Sequence, residues 1–110
     1  MPHYMVRWQF NDAATKALVG KPQDRTETAR ALVKSFGGTL QHYFFAFGDY
    51  DGVAICEFPD NKAVAAFSLT AAATRNFTRF ETTALLTGKE AEAALQLAHD
   101  TKSDYKPPTS

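Results

Sequence analysis

The chain has 110 residues, 45% hydrophobic and 22% charged, with Lys+Arg 12 balanced by Asp+Glu 12. That is enough for one domain with a modest core, and the zero net charge gives no general pull toward nucleic acid or an anionic membrane. Acidic and basic residues interrupt every apolar stretch too often for a spanning helix, and the single cysteine, Cys56, rules out an internal disulfide. The N-terminus lacks a basic region followed by an apolar one, so no signal peptide and a cytoplasmic location are expected.

Tyr4, Val6, Trp8 and Phe10 alternate with Met5, Arg7 and Gln9, the pattern of a strand with one apolar face. Asn11 or Asp12 suits the cap of a short helical turn from Ala13 to Leu18, which Gly20 would end. Pro22 fits a helix first turn, and Ala29, Leu32, Val33 and Phe36 form a helical stripe that stops at Gly37-Gly38. Leu40 to Phe47 and Val53 to Phe58 are β-rich runs around Gly48-Asp49-Tyr50-Asp51-Gly52, a hairpin signal. Gly48 or Gly52 is expected at positive φ, and Asp51 is expected to fix the turn through backbone hydrogen bonds.

Beyond the hairpin, Asp60 is a good N-cap and Ala63, Val64, Phe67 and Ala71 form the next stripe. Thr74-Arg75-Asn76 breaks it, and Phe77 to Leu86 reads as a strand. Thr87 and Glu90 have capping-box spacing before Ala91, Ala94, Leu95 and Ala98, a last amphipathic helix. The order β-α-β-β-α-β plus a C-terminal helix predicts a ferredoxin-like α+β domain over residues 1–101, with both long helices on one face of an antiparallel sheet. Residues 102–110, with Pro107-Pro108, are expected to form a flexible tail.

One layer of helices leaves the other sheet face open, yet the hairpin strands are apolar on both sides. His42, Phe44 and Ala46 oppose Tyr43, Phe45 and Phe47. Burying each aromatic is worth roughly 1.5–3 kcal/mol, so several left exposed together make a patch that monomers seldom carry. A homodimer or higher homo-oligomer, sheet facing sheet, is the expected remedy, with the C-terminal helix as the other candidate cover.

The turn Gly48, Tyr50, Asp51, the approach Arg30-Ala31-Leu32-Val33 into Gly37-Gly38, and the strand ending at Glu57-Phe58-Pro59-Asp60 resemble the GYD domain family. The resemblance spans roughly residues 4–97. It implies a dimeric α+β barrel, in which two ferredoxin-like sheets pack face to face. It implies no common activity. Fold relatives include monooxygenases of antibiotic biosynthesis, muconolactone isomerase-like proteins and haem-binding chlorite dismutase-like proteins, an analogy of fold alone.

Arg7 and Gln9 on the first strand, and Arg79 and Glu81 on the last, are the candidate ligand-binding residues. The topology makes those strands neighbours, and two guanidiniums at one place suit a carboxylate. A structural ion pair with Glu81 is the alternative. His42, Tyr43 and Glu57 are weaker catalytic candidates. Tyr43 is expected opposite Glu57, or His42 there after a one-residue shift. Tyr50 is expected to cap a neighbouring subunit or line a pocket mouth. Cys56 reads as an inert buried thiol. His3, His42 and His99 lack metal-ligand spacing, so no metal and no cofactor are expected, haem ligation by His42 or His99 remaining only as analogy. Three functions compete: a homo-oligomer binding a small molecule in or beside the barrel, a cofactor-independent monooxygenase- or isomerase-like enzyme, and a structural or regulatory partner of a larger enzyme.

Overall fold

The structure, a computed structural model, describes residues 1–109. Its elements run β1 (His3–Phe10), α1 (Asp12–Gly20), α2 (Thr26–Ser35), β2 (Thr39–Phe45), β3 (Gly52–Glu57), α3 (Asn61–Ala73), β4 (Phe77–Leu85) and α4 (Gly88–Asp100). The four strands form one sheet in the order β2-β3-β1-β4, with every neighbour antiparallel. This is the ferredoxin-like α+β arrangement that the element order predicts.

β1 lies at the centre, and its alternation decides the rest. Tyr4, Val6 and Trp8 are buried beneath the helices, beside Ala54 and Cys56 of β3. Val33 of α2 and Val64, Phe67 and Ala71 of α3 close the core above them, with Leu40 and Phe58. Ala29, Leu32 and Phe36 pack at its margin, so both helical stripes face the core as their spacing requires. The Tyr4 hydroxyl, carried inward with its ring, donates to Asn61 Oδ1 at 2.6 Å.

Several ends differ from the sequence expectation. α1 is capped by Asn11, whose side chain accepts from the Ala14 N–H, and it runs through Gly20 instead of stopping before it. α2 starts at Thr26, not at Pro22; its N-cap, Arg25, makes no side-chain cap bond, and the Asp24 carboxylate before it accepts from both the N–H and the hydroxyl of Thr26. Those two bonds hold the Asp24 carboxyl below its ordinary range. β2 ends at Phe45 and carries a register shift between Leu40 and His42. The capping box of Thr87 and Glu90 forms as its spacing predicts.

α4 is the element without a home. None of its residues is buried, and Leu95 on its apolar stripe is 71% exposed. It therefore does not cover the open face of its own sheet. That face presents Met5, Val53 and Ile55, half-buried, and Phe44, 61% exposed. Among the described residues no helix is long and apolar enough to cross a membrane.

The two glycines of the hairpin do different work. Gly48 has φ 145°, a conformation that favours glycine, and nothing crowds it. Gly52 is not at positive φ. A Cβ there would collide with the indole of Trp8. Gly48→Ala is expected to cost about 1 kcal/mol through backbone strain. Gly52→Ala is expected to cost more, roughly 1–3 kcal/mol, through overpacking against a buried ring. Urea denaturation of both variants checks this, and a greater loss at Gly48 would contradict the packing role of Gly52.

Candidate functional site

Antiparallel pairing of β1 with β4 sets Arg7 opposite Glu81 and Gln9 opposite Arg79. All four project from the face that the helices leave open, because they alternate with the buried Val6 and Trp8 and with Phe80. The sequence-derived group therefore assembles. Arg7 Nη2 lies 3.5 Å from Glu81 Oε2, and the Thr78 hydroxyl donates to Gln9 Oε1 at 2.9 Å.

A fifth member comes from the hairpin loop. Tyr50 reaches from between β2 and β3 across β1 to β4, where its hydroxyl donates to Glu81 Oε2 at 2.7 Å. The Arg7 guanidinium sits 4.5 Å from the centre of the Tyr50 ring and that of Arg79 5.4 Å from it. A phenol ring attracts cations through its negative faces, so one ring holds two guanidiniums together that would otherwise repel. The bond to Glu81 raises the Tyr50 phenol above its ordinary pKa, with burial adding to it. Glu81 pairs with Arg7 alone, Arg79 has no carboxylate within ion-pair distance among the described residues, and the Nε of Arg7 is buried with no hydrogen-bond partner. The reach of Tyr50 has no periodic signal in the sequence. The tyrosine of the turn is the only pointer to it.

Asp51 anchors the same loop. Its carboxylate accepts from the Phe10 N–H at 2.8 Å, and its own N–H donates to the Trp8 carbonyl at 2.8 Å. The expectation of backbone hydrogen bonds holds, but they go to the end of β1 as well as within the turn, where Ala46 N–H meets the Asp51 carbonyl at 2.7 Å.

The weaker trio does not converge. The ladder starts from Phe45 opposite Gly52, so Tyr43 faces Ala54 and His42 faces Ile55, and beyond the shift after Leu40 Glu57 faces Thr39. Neither Tyr43 nor His42 lies opposite Glu57, contrary to both registers weighed from the sequence. Glu57 is instead engaged by His3 Nε2 at 3.0 Å and by the Gln41 amide at 3.0 Å. His42 stacks beside Phe44 on the open face. Tyr43 points to the helix side, against Trp8, where burial raises its phenol pKa. There it lines a cavity between sheet and helices that neither His42 nor Glu57 reaches.

Cys56 is fully buried, and burial pushes its thiol up to about 11. It stays protonated near neutral pH and is a poor nucleophile. Among the described residues no three of His, Cys, Asp and Glu converge on a metal-sized space.

Comparison with known proteins bears first on fold. TTHA0845 from Thermus thermophilus superposes with a TM-score of 0.52 at 13% identity, over 80% of this chain and 96% of that one. The 5-chloro-2-hydroxyhydroquinone dehydrochlorinase of Burkholderia phenoliruptrix, in complex with 2,5-dihydroxybenzoquinone, superposes with a TM-score of 0.55 at 10% identity, over 79% and 96%. At such identities the likeness is one of fold. No curated protein sequence matches the chain. The GYD domain family matches residues 4–95, which take in all of the sheet but His3, both core helices and the Gly48–Asp51 turn, and the chain belongs to that family.

Proposed function

We propose that this GYD domain protein is a homo-oligomer that binds a small carboxylate-bearing molecule at Arg7, Gln9, Arg79 and Glu81. The observation that carries the reading is the unbalanced charge of the cluster. Two guanidiniums face one carboxylate, and Arg7 Nε is a buried donor with nothing to accept from it. A ligand carboxylate supplies the missing acceptor and the missing charge, and a planar guanidinium receives it through two parallel bonds.

Position supports the oligomer. The cluster lies on the same face as Phe44, Val53 and Ile55, which no element of the chain covers. A two-fold contact satisfies such a patch with itself. It also lowers the local dielectric around the arginines, which strengthens their hold on an anion.

Two measurements check this reading. Light scattering at micromolar concentration is expected to give a species at least twice 12.1 kDa, and Phe44→Glu to shift it toward the monomer. The buried area is expected to exceed roughly 1,200 Å² in total. A stable monomer of the unaltered chain would sink the assembly. For the ligand, thermal shift against acetate, malonate and succinate is expected to stabilise the native chain, by about 2.7 kcal/mol at a hundredfold excess over Kd. Arg79→Ala is the cleaner variant, because it leaves the Arg7–Glu81 pair standing. Stabilisation undiminished in Arg79→Ala would reduce the cluster to a structural clamp for Tyr50.

A further inference from the structure

On the other side of the sheet the helices do not close the core completely. α2 rests on β2 and α3 on β4, the two edge strands, so the central strands β1 and β3 lie under the gap between them. The residues that the helices turn toward this gap include Ala29 and Ala71, too small to fill it. What remains is a cavity of about 110 Å³ over Val6, Ala54 and Cys56. Its wall is aromatic, with Trp8, Phe10, Phe67, Phe77 and Phe80 among the lining side chains. At Phe10, Arg25 and Tyr43 it adjoins a wider cleft of about 620 Å³ between α1 and the end of β2.

We infer that this cavity is a second ligand site, independent of the open-face cluster, that takes a single aromatic ring carrying a carboxylate. An apolar cavity of roughly 150 Å³ takes up benzene; this one is smaller, so a ring seated in it extends its substituted edge through the mouth into the adjoining cleft. Aromatic walls favour a ring over an aliphatic chain through edge-to-face and offset contacts. The charge at the mouth selects the substituent. Arg25 belongs to the lining of both spaces and Asp24 to that of the wider cleft alone, and among the described residues Arg25 has no carboxylate within ion-pair distance. Its guanidinium donates only to the Gln23 side chain, at 3.0 Å. A benzoate-sized ligand places its ring against Trp8 and Phe80 and its carboxylate at Arg25, with the Tyr43 hydroxyl beside it. A mere packing gap needs neither the open mouth nor the unpaired cation there.

The chain carries its own reporter, since Trp8 is the only tryptophan. Benzoate and toluene are titrated separately into the full chain while Trp8 emission and the methyl signals of Val6 and Val33 are followed. Both probes are expected to shift those signals saturably. Arg25→Gln is expected to weaken benzoate at least tenfold and leave toluene unchanged. Ala71→Phe fills the space and is expected to abolish both. Should that variant not fold, Ala29→Leu, at a half-buried position on α2, fills the same gap from the other side. Shifts confined to Met5, Val53 and Ile55 would place benzoate on the open face and overturn the inference without touching the carboxylate reading there. Absence of saturable shifts with either probe, or binding undiminished by the filling variant, would overturn it equally.

Discussion

Trp8 occupies the space that a side chain at position 52 would need, and the rest of the molecule depends on that exclusion. The indole lies over the start of β3 and fixes where that strand begins relative to β1. Backbone bonds then lock the loop at the same point, from the Asp51 N–H to the Trp8 carbonyl and from the Phe10 N–H to the Asp51 carboxylate. With the loop pinned there, Tyr50 has only one way to lie, across β1 to Glu81 on β4. The Gly-x-Tyr-Asp turn is thus a clasp over three strands. Each of its residues has a physical reason: Gly48 for its backbone, Tyr50 for its ring and hydroxyl, Asp51 for its acceptor. Charge-assisted and buried bonds of this kind are worth more than exposed ones, and losing one partner strands the other.

Much of this was legible in the sequence where periodicity carried it. The alternation from Tyr4 to Phe10 predicts which side of β1 is buried, and the stripes of Ala29 to Phe36 and Ala63 to Ala71 predict which helix faces meet it. From those and the topology follows the meeting of Arg7, Gln9, Arg79 and Glu81, with no side-chain geometry required. What escaped lies where periodicity breaks. The strands pair from Phe45 and Gly52, with a loop of six residues between them, and that register leaves Glu57 beside Thr39, where His3 and Gln41 engage it. Pro22 does not start α2, since the turn after it, in which Asp24 takes the Thr26 N–H, precedes the first helical residue. The cavity has no sequence signature, since it arises from the spacing of two helices over a sheet and from the smallness of Ala29 and Ala71.

Two surfaces of the chain stay unsatisfied. The open face shows Phe44 and the loop after β2 shows Phe47 at 94% exposure, while α4 shows Leu95 and Leu97. An isolated helix of this length is marginal in water, and its capping box adds only about 1 kcal/mol. Its periodic apolar stripe is costly to keep exposed and implies a surface to meet. A second copy of the chain offers such a surface in its own open face. That is the physical motive for the proposed oligomer: one layer of helices cannot cover a sheet that is apolar on both sides.

The two faces of β1 divide the chemistry between them. Odd positions carry Arg7 and Gln9 to the charged cluster, and even ones carry Val6 and Trp8 to the cavity floor and wall. The proposed anion and the proposed ring would therefore meet different side chains of one strand. Only the clasp touches both. Tyr50 stands among the arginines and Gly52 beneath Trp8, two residues apart along the chain. A ring that displaces Trp8 bears directly on the backbone at 52, and that backbone positions the phenol between Arg7 and Arg79. The same turn that identifies the family thus packs against both sides of the sheet, Gly52 on the indole and Tyr50 on the guanidiniums.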